Sequence, residues 1–346
     1  MKNRTRLFVV VTVGVLVLGL GTGLLASYVG IQNFSIIGGN GPDELSYVPA
    51  DARMVAFADV RSVVGSELRQ KLRQFEPSAD QKNQIETETG INIENDVDSI
   101  LAAAWSSADN SLQGPPLVLA RGRFDAVRIE GLIREHGGSV QEYKGKRLLV
   151  VDSKPAGMAV AFVEPGLVAA GSPAAVKRAI DIKQSGSGAV TDNAEVMQLI
   201  KAADDGDTWA VARFDALSAG PLPKELALQL PPINWFSATG RVDSGIEATL
   251  RAQTKDEKSA QDLREVIRGF MALARLQAGD KAQFADLVNS LELGGEGTTV
   301  TLRLSIPASV IDSVAALTAQ RRRAAPDTLT VPEQTRPAPV PTVPSI

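Results

Sequence analysis

Hydrophobic positions form two kinds of pattern along this chain. The first is an uncharged apolar stretch of 20 residues, 7–26, with three basic residues among the six before it. A helix of this length extends about 30 Å, the thickness of the hydrocarbon core of a bilayer. Basic residues on the N-terminal side place that end in the cytoplasm. The pattern predicts a cytoplasmic cap over 1–6 and a single-pass signal anchor over 7–28 in the inner (cytoplasmic) membrane, with the main domain extracytoplasmic.

The length of this stretch favours an anchor over a cleaved signal, whose apolar region is about 7 to 15 residues long. Whether the segment is ever cleaved stays open. Gly19, Gly23 and Ser27 recur every four residues within it. Small side chains at this spacing line one face of a helix and let a second helix approach closely. These three residues are a candidate transmembrane helix packing face, and the alternative is that they reflect the general frequency of glycine in membrane helices.

The second pattern is a repeated unit, in which a short apolar strand runs into an aspartate and a helix follows. Its copies contain Asp59, Asp125 and Asp215, and the last two share the sequence Arg-Phe-Asp-Ala. An aspartate at the start of a helix accepts hydrogen bonds from the free amides of the first turn. Capping accounts for all three aspartates, so we favour it over a catalytic role.

The other strand-like runs come mostly as neighbouring pairs. Several are joined by short turns such as Asp243-Ser244-Gly245, which is typical of antiparallel hairpins. Helical stripes with core-like spacing occur between them, at Val64, Leu68, Leu72 and Phe75 and at Leu263, Val266, Ile267, Phe270 and Ala274. The mixture predicts an α+β fold of antiparallel sheets with helices packed on one face, in two related lobes over 47–204 and 205–323.

Two segments differ in composition from these lobes. Residues 29–46 contain Gly-Asn-Gly-Pro and indicate a flexible stalk between the membrane and the domain. Residues 324–346 contain six prolines and too few large apolar residues to form a core. They predict a disordered, Pro-rich tail.

Charge argues against nucleic acid as a partner. The first six residues and residues 321–346 together contain seven of the 36 basic residues but only two of the 40 acidic residues. The domain between these two segments therefore has a net charge near −9. Such a domain repels phosphate backbones and anionic lipid surfaces. The chain has no cysteine, which excludes disulfides, thiolate ligands and cysteine nucleophiles.

Candidate chemistry is sparse. The single histidine, His136, precedes two glycines at a point where a helix should end. A histidine in the last turn of a helix interacts favourably with the helix dipole and with the last free carbonyls, so a structural role accounts for it. Two acidic groups, Glu94/Asp96/Asp98 and Asp204/Asp205/Asp207, carry the ligand type of a hard cation without the full calcium-loop pattern. A solvated loop or a helix start accounts for both groups better. We therefore predict no catalytic residue, no metal site and no cofactor.

Three segments resemble a group of bacterial extracytoplasmic proteins of unknown function. They are Tyr47-Val48-Pro49-Ala50-Asp51-Ala52, Tyr143-Lys144-Gly145-Lys146 and the stretch from Gly171 to Asp181. Members of this group are typically tethered by one N-terminal span. The resemblance covers most of residues 47–320 and implies an extracytoplasmic location and an α+β repeat fold. It carries no active site.

These observations favour a non-enzymatic, membrane-anchored binding or scaffold domain that contacts an unidentified partner protein of the cell envelope. A periplasmic carrier of lipid or another apolar ligand is the alternative, because an antiparallel sheet covered by helices can enclose an apolar cavity. A hydrolase using Ser/Lys or carboxylates is the third hypothesis, because such sites assemble from distant residues.

Overall fold

The computed structural model describes residues 42–72, 92–105, 116–135, 137–151, 157–204, 206–219, 230–278 and 287–307. Its strands are β1 (Met54–Asp59), β2 (Val97–Ala104), β3 (Leu117–Gly122), β4 (Ser139–Tyr143), β5 (Lys146–Val151), β6 (Met158–Glu164), β7 (Leu167–Gly171), β8 (Thr208–Arg213), β9 (Ile233–Val242), β10 (Ile246–Thr254), β11 (Glu292–Gly294) and β12 (Thr299–Ile306). Its α-helices are α1 (Val60–Gly65), α2 (Glu67–Leu72), α3 (Ile93–Asp96), α4 (Ala126–Glu135), α5 (Pro173–Ser185), α6 (Ala194–Ala203), α7 (Phe214–Ala219) and α8 (Glu257–Ala278).

The predicted anchor, with Gly19, Gly23 and Ser27, lies outside the described residues, as does the predicted tail. Within the described ranges, no helix combines the length and the apolar character that crossing a membrane requires. Residues Asp43–Tyr47 form a 3₁₀-helix in which Glu44 and Leu45 are buried. The folded part therefore extends into the range predicted as stalk.

The strands form one antiparallel sheet in the order β11-β12-β10-β9-β8-β1-β2-β3-β7-β6-β5-β4. Together with the helices it confirms the predicted α+β class. β1, from the first predicted lobe, pairs with β8, from the second, so the sheet continues through both. The division into two lobes stays a prediction.

The register of the strands defines two faces of this sheet. Side chains alternate between faces along a strand, and residues directly opposite each other in antiparallel strands share a face. The front face carries the cross-strand row Trp209, Phe57, Leu101 and Leu119. The back face carries the neighbouring row Ala210, Ala56, Ala102 and Val118. The two faces therefore differ in side-chain volume at the centre of the sheet.

Helices α5 and α6 cover the front face. Val176 and Ile180 of α5 and Ile200 of α6 are buried in the same hydrophobic cluster as Phe57 and Trp209. Both helices begin at a capping side chain, as the sequence Ser172-Pro173 predicts for the first. Ser172 accepts a hydrogen bond from the amide of Ala175, and Asn193 accepts one from the amide of Val196.

Helices α7 and α8 lie on the back face. Leu217 of α7 packs with Ala212, and Leu263 of α8 packs with Ala252 and Val300. Ala252 and Ala212 both stand opposite Phe236, which places all three on the back face. Helices thus cover both faces, which corrects the prediction of helices on one face.

The physical reason is a reversal of the hydrophobic pattern between the two halves of the sheet. In β10 the front-face residues are the polar Thr249, Arg251 and Gln253, whereas the back-face residues are Ala248, Leu250 and Ala252. In β1 the largest apolar side chain, Phe57, points to the front. A helix packs where apolar area is available, so α5 lies on the front of β3, β7 and β6, whereas α8 lies on the back of β10 and β12.

Two predicted core stripes are shorter than expected. Ser66 has an extended backbone that ends α1, and its hydroxyl accepts a hydrogen bond from the amide of Arg69 in α2, so the first stripe is split between two helices. In α8, Leu263 is 3% exposed but Phe270 is 39% exposed. The second stripe therefore leaves the core before Phe270.

Replacement of Leu101 by alanine tests the front-face core. Leu101 is fully buried, and we expect Leu101→Ala to lower the free energy of unfolding by about 3 kcal/mol through lost burial and the remaining cavity. Urea unfolding of the full chain in mild detergent measures it, followed by the fluorescence of Trp105, Trp209 and Trp235, which are all buried. Leu276→Ala is the control, because Leu276 is 81% exposed and should change stability by less than about 0.5 kcal/mol. Equal effects of the two variants would contradict the assigned core.

Candidate functional site

Four alanines stand side by side at the centre of the back face. Ala238 pairs with Ala210, Ala210 stands opposite Ala56 in the neighbouring strand, and Ala56 pairs with Ala102. We call these four residues the alanine row. Adjacent strands are about 4.8 Å apart, so the row is about 14 Å long. Because the side chain of each member is a single methyl group, another element can lie very close to the backbone of this part of the sheet.

The back face continues beyond the row as a surface of half-buried apolar side chains on β3, β7 and β6. We call it the apolar floor and define it by Val118, Ala120, Ala170, Val160 and Phe162. Val118 stands opposite Ala102 and Ala170, and Ala170 stands opposite Val160. The alanine row and the apolar floor therefore form one continuous surface.

Helices lie on both sides of this surface. At one side Leu217 of α7 packs on Ala212. At the other side Glu130 of α4 forms an ion pair with Arg147 of β5. Arg147 is on the back face, because it shares a face with Leu149, which stands opposite Val160 of the floor. Neither the alanine row nor the apolar floor contains a charged or hydrogen-bonding side chain. Such a surface binds by burying apolar area and supplies no group for acid, base or nucleophilic chemistry.

A polar network, separate from this surface, joins the first folded residues to the sheet. Arg121 of β3 donates to Glu44, which is 4% exposed, and the hydroxyl of Tyr47 donates to Glu164 of β6 at 2.8 Å. Lys183 of α5 lies 3.3 Å from Glu164 and 4.8 Å from the centre of the Tyr47 ring. The network therefore holds the segment Asp43–Tyr47 against three elements.

The network shifts the pKa of Tyr47 and that of Glu164 in opposite directions. Burial and the hydrogen bond to Glu164 raise the pKa of Tyr47 far above its ordinary value, so its hydroxyl remains a donor. Burial alone would raise the pKa of Glu164, but hydrogen bonds from Tyr47 and Lys183 and the charges of Lys183 and Arg121 outweigh it and hold that pKa below its ordinary value. All the charged members have partners, so the arrangement is that of a structural contact.

The structure confirms capping for two of the three aspartates in the repeated unit. Asp59 accepts a hydrogen bond from the amide of Ser62 at 3.1 Å, and Asp125 accepts one from the amide of Arg128 at 3.0 Å. Asp215 instead lies inside the first turn of α7 and contacts Arg53 at 2.9 Å. The third copy therefore differs from the predicted cap, because α7 begins at Phe214, two residues earlier than a cap at Asp215 would require.

The first acidic group is divided among separate partners. Glu94 contacts Arg69 at 2.6 Å, Asp96 accepts from the amide of Asn92 at 2.8 Å, and Asp98 contacts Arg61 at 2.6 Å. Each carboxylate thus faces a cation or an amide of its own. These contacts support the structural interpretation that the sequence favours.

The second acidic group behaves in the same way. Asp207 accepts hydrogen bonds from the hydroxyl of Ser62 at 2.8 Å and from the amide of Val242 at 2.6 Å, and Asp204 is the C-cap of α6. Asp205 lies outside the described residues. Within those residues, no group of three or more His, Asp or Glu side chains is arranged to hold a metal ion.

The remaining candidate residues are His136, the single histidine, and two tryptophans in the strands. His136 lies outside the described residues, but α4 ends at Glu135 and Gly137 has the left-handed backbone of a helix-ending glycine, as predicted. Trp209 of β8 and Trp235 of β9 are buried. The indole of Trp235 donates to Glu195 at 2.8 Å.

The alanine row was not predicted from the sequence. Its signal is present, since alanine recurs at every second position in Ala56-Phe57-Ala58, Ala102-Ala103-Ala104 and Ala210-Val211-Ala212. Alanine is common in every kind of element, so the alternation alone does not indicate a surface. Only the strand order places the three segments side by side.

Comparisons with known proteins add little. No protein-family model matches this chain, and no curated protein matches it. Among solved structures, crystal form III of TP0453 is similar, with a TM-score of 0.48 and 10% identity over 82% of this chain and 100% of that chain. Crystal form I of TP0453 has a TM-score of 0.44 and 12% identity over 81% of this chain and 98% of that chain. TM-scores below 0.5 at such identities carry no argument about function.

Replacement of Glu164 by glutamine tests the polar network through pH. Because the folded-state pKa of Glu164 lies below its ordinary value of 4.5, its carboxylate contributes stability that is complete above this value and is lost as the pH falls through the lower, folded-state value. We therefore expect wild type to be more stable than Glu164→Gln at neutral pH and the difference to shrink as the pH falls below 4.5. Urea unfolding across this range measures it.

The control is Glu247→Gln, because Glu247 is 68% exposed and lies 3.9 Å from Arg241. Its stability difference from wild type should stay small at every pH. A Glu164→Gln difference that does not change with pH would show that the network contributes through packing alone.

Proposed function

We propose that this chain is a non-enzymatic binding domain, held outside the cytoplasm by the predicted anchor at 7–28, and that the apolar floor is its binding surface. One observation carries the proposal. The floor is a continuous, uncharged, half-buried surface between helices that belong to different halves of the sheet. Large apolar areas left accessible in this way mark sites for partners or ligands.

The width of the floor favours a protein partner. The floor crosses three strands, β3, β7 and β6, about 10 Å between the outer two, and a helix with its side chains is about 10 Å across. The space between α7 and α4 therefore accommodates a helix from a partner. This agrees with the sequence-based hypothesis of a scaffold or binding domain with an envelope protein as its partner.

The second candidate is a carrier of lipid or another apolar ligand. The absence of charge from the row and the floor favours it as well, because an alkyl chain needs only apolar contacts. The two candidates differ in the size of the bound molecule, and one experiment separates them.

A photo-reactive amino acid in place of Phe162, in the full chain in its own cells, identifies what lies on the floor. Phe162 is half-buried on the floor, and we expect ultraviolet light to join it to a specific molecule. A large, discrete shift on a gel identifies a protein partner, whereas a small increase in mass that extracts into organic solvent identifies a lipid.

The matched control is the same substitution at Lys201, which is exposed on α6 on the other side of the sheet. Adducts should form at position 162 and be absent at position 201. No adduct at position 162, or the same adducts at both positions, would overturn the proposal.

A further inference from the structure

Exposed apolar side chains are concentrated near the end of α8. Among the described residues five large hydrophobic side chains are well exposed, and Phe270, Leu273 and Leu276 of α8 are three of them, at 39%, 45% and 81% exposure. The other two, Val127 and Met158, lie on separate elements. Single exposed apolar residues are ordinary, whereas a cluster on one helix marks a contact surface.

This end of α8 extends beyond the part of the helix that packs on the sheet. Leu263 is buried in one cluster with Ala252 and Val300, and Ile267 packs partly against the same cluster. No side chain from residue 264 to residue 276 is buried. Leu276 lies nine residues after Ile267, about 14 Å further along the helix axis. The last turns of α8 therefore present apolar side chains to solvent.

Two cations accompany these apolar side chains. Arg268 and Arg275 are exposed, and neither has an ion-pair partner among the described residues. The cations of the first half of α8 are engaged, since Lys258 forms an ion pair within the helix and Arg264 donates to three backbone carbonyls. Residues 266–278 contain no acidic residue. The end of α8 is thus locally cationic on a domain with net negative charge.

The helical repeat places the two kinds of side chain next to each other. At about 100° per residue, Leu273 and Leu276 turn away from the face that packs on the sheet, and Arg268 and Arg275 share a neighbouring face. Helices that lie in a lipid interface combine these features, with leucine and phenylalanine among the acyl chains and arginine at the headgroups.

We propose that the end of α8, from Arg268 to Leu276, docks on an anionic lipid surface. Charge complementarity favours this occupant, because two unpaired guanidinium groups flank the apolar side chains. At physiological ionic strength charges are screened beyond about 8 Å, so these two cations act at the contact more strongly than the distant acidic residues of the domain. The net negative charge elsewhere then turns the other faces away from the lipid.

The length of chain before the fold also favours a lipid surface. Fourteen residues, 29–42, separate the predicted anchor from Asp43, where the first described helix begins. Fourteen residues reach at most about 50 Å, so an anchored domain always stays near the bilayer. This step rests on the anchor that the proposed function also uses, whereas the apolar floor plays no part in it.

A fluorescent label at position 276 tests docking in the full chain reconstituted in vesicles. The natural chain has no cysteine, so Leu276→Cys gives a single labelling site. Lipids with brominated acyl chains quench the label only when it lies among those chains. We expect strong quenching in phosphatidylcholine vesicles with about one third phosphatidylglycerol and little in phosphatidylcholine alone. The matched control is Val127→Cys on α4, because Val127 is 84% exposed and should stay unquenched in both.

Substitutions in the labelled Leu276→Cys chain test the cations. Arg268→Gln with Arg275→Gln should lower the ratio of docked to free α8 about 30-fold, at about fivefold for each cation, as measured by quenching while the anionic fraction is titrated. Arg128→Gln with Lys201→Gln removes two exposed cations from α4 and α6 and should leave the ratio unchanged.

Three results would overturn the inference. They are quenching at position 276 no greater than at position 127, equal quenching in the two kinds of vesicle, and an equal response to the two pairs of glutamine variants. Protection of the label from aqueous iodide without quenching by brominated lipid would also overturn it, and would identify a protein on this face instead.

Flotation of the vesicles separates this inference from the proposed function. A chain that floats with neither kind of vesicle would overturn both the predicted anchor and the docking of α8. A chain that floats with both and is quenched alike at positions 276 and 127 would overturn the docking of α8 alone.

Discussion

The pairing of β1 with β8 is the contact on which the rest of the structure depends. It joins the strands β1–β7 to the strands β8–β12, since no other described pairing connects these two groups. Five residue pairs stand in register along it, from Met54 with Ala212 to Ala58 with Thr208. The same pairing creates the alanine row on one face and the contact of Phe57 with Trp209, whose ring centres are 5.7 Å apart, on the other. A shift of one residue would exchange the two faces and would place methyl groups under α5 and α6.

Register also explains why the two faces have different roles. The front face carries aromatic and branched side chains that pack below α5 and α6 in one buried cluster. The back face carries alanine at the same level of the sheet. It is therefore complete only when another element supplies the missing apolar volume. Helices α7 and α8 do this for β8–β12, and the apolar floor on β3, β7 and β6 stays half-buried.

Local features were predictable because their signals lie within a few residues of one another. Ser172-Pro173 marks the start of α5, Asp59 and Asp125 cap the helices that follow them, and the predicted hairpin at Asp243-Ser244-Gly245 joins β9 to β10. The order of the strands was not predictable, since about 150 residues separate β1 from β8 and each apolar strand could pair with several others. The same limit hid the apolar floor, because Val118, Ala170 and Val160 come together only through the strand order. The reversal of polarity in β10 is visible in the sequence, but it has meaning only when the faces of the neighbouring strands are known.

The relative strength of charged and apolar contacts supports the back face as the binding surface. Many described ion pairs are well exposed, such as Lys144 with Asp181, whose side chains are 49% and 41% exposed. Pairs of this kind contribute about 0 to 1 kcal/mol, and salt screens them. Full burial of one side chain such as Val160 or Phe162 contributes about 1.5 to 3 kcal/mol. Val160 and Phe162 are already half-buried, so covering each of them with a partner contributes only part of this free energy. Several adjacent side chains of the floor would be covered together, and their contributions add. A partner seated on the apolar floor would therefore gain more from burial of these side chains than from exposed ion pairs of this kind.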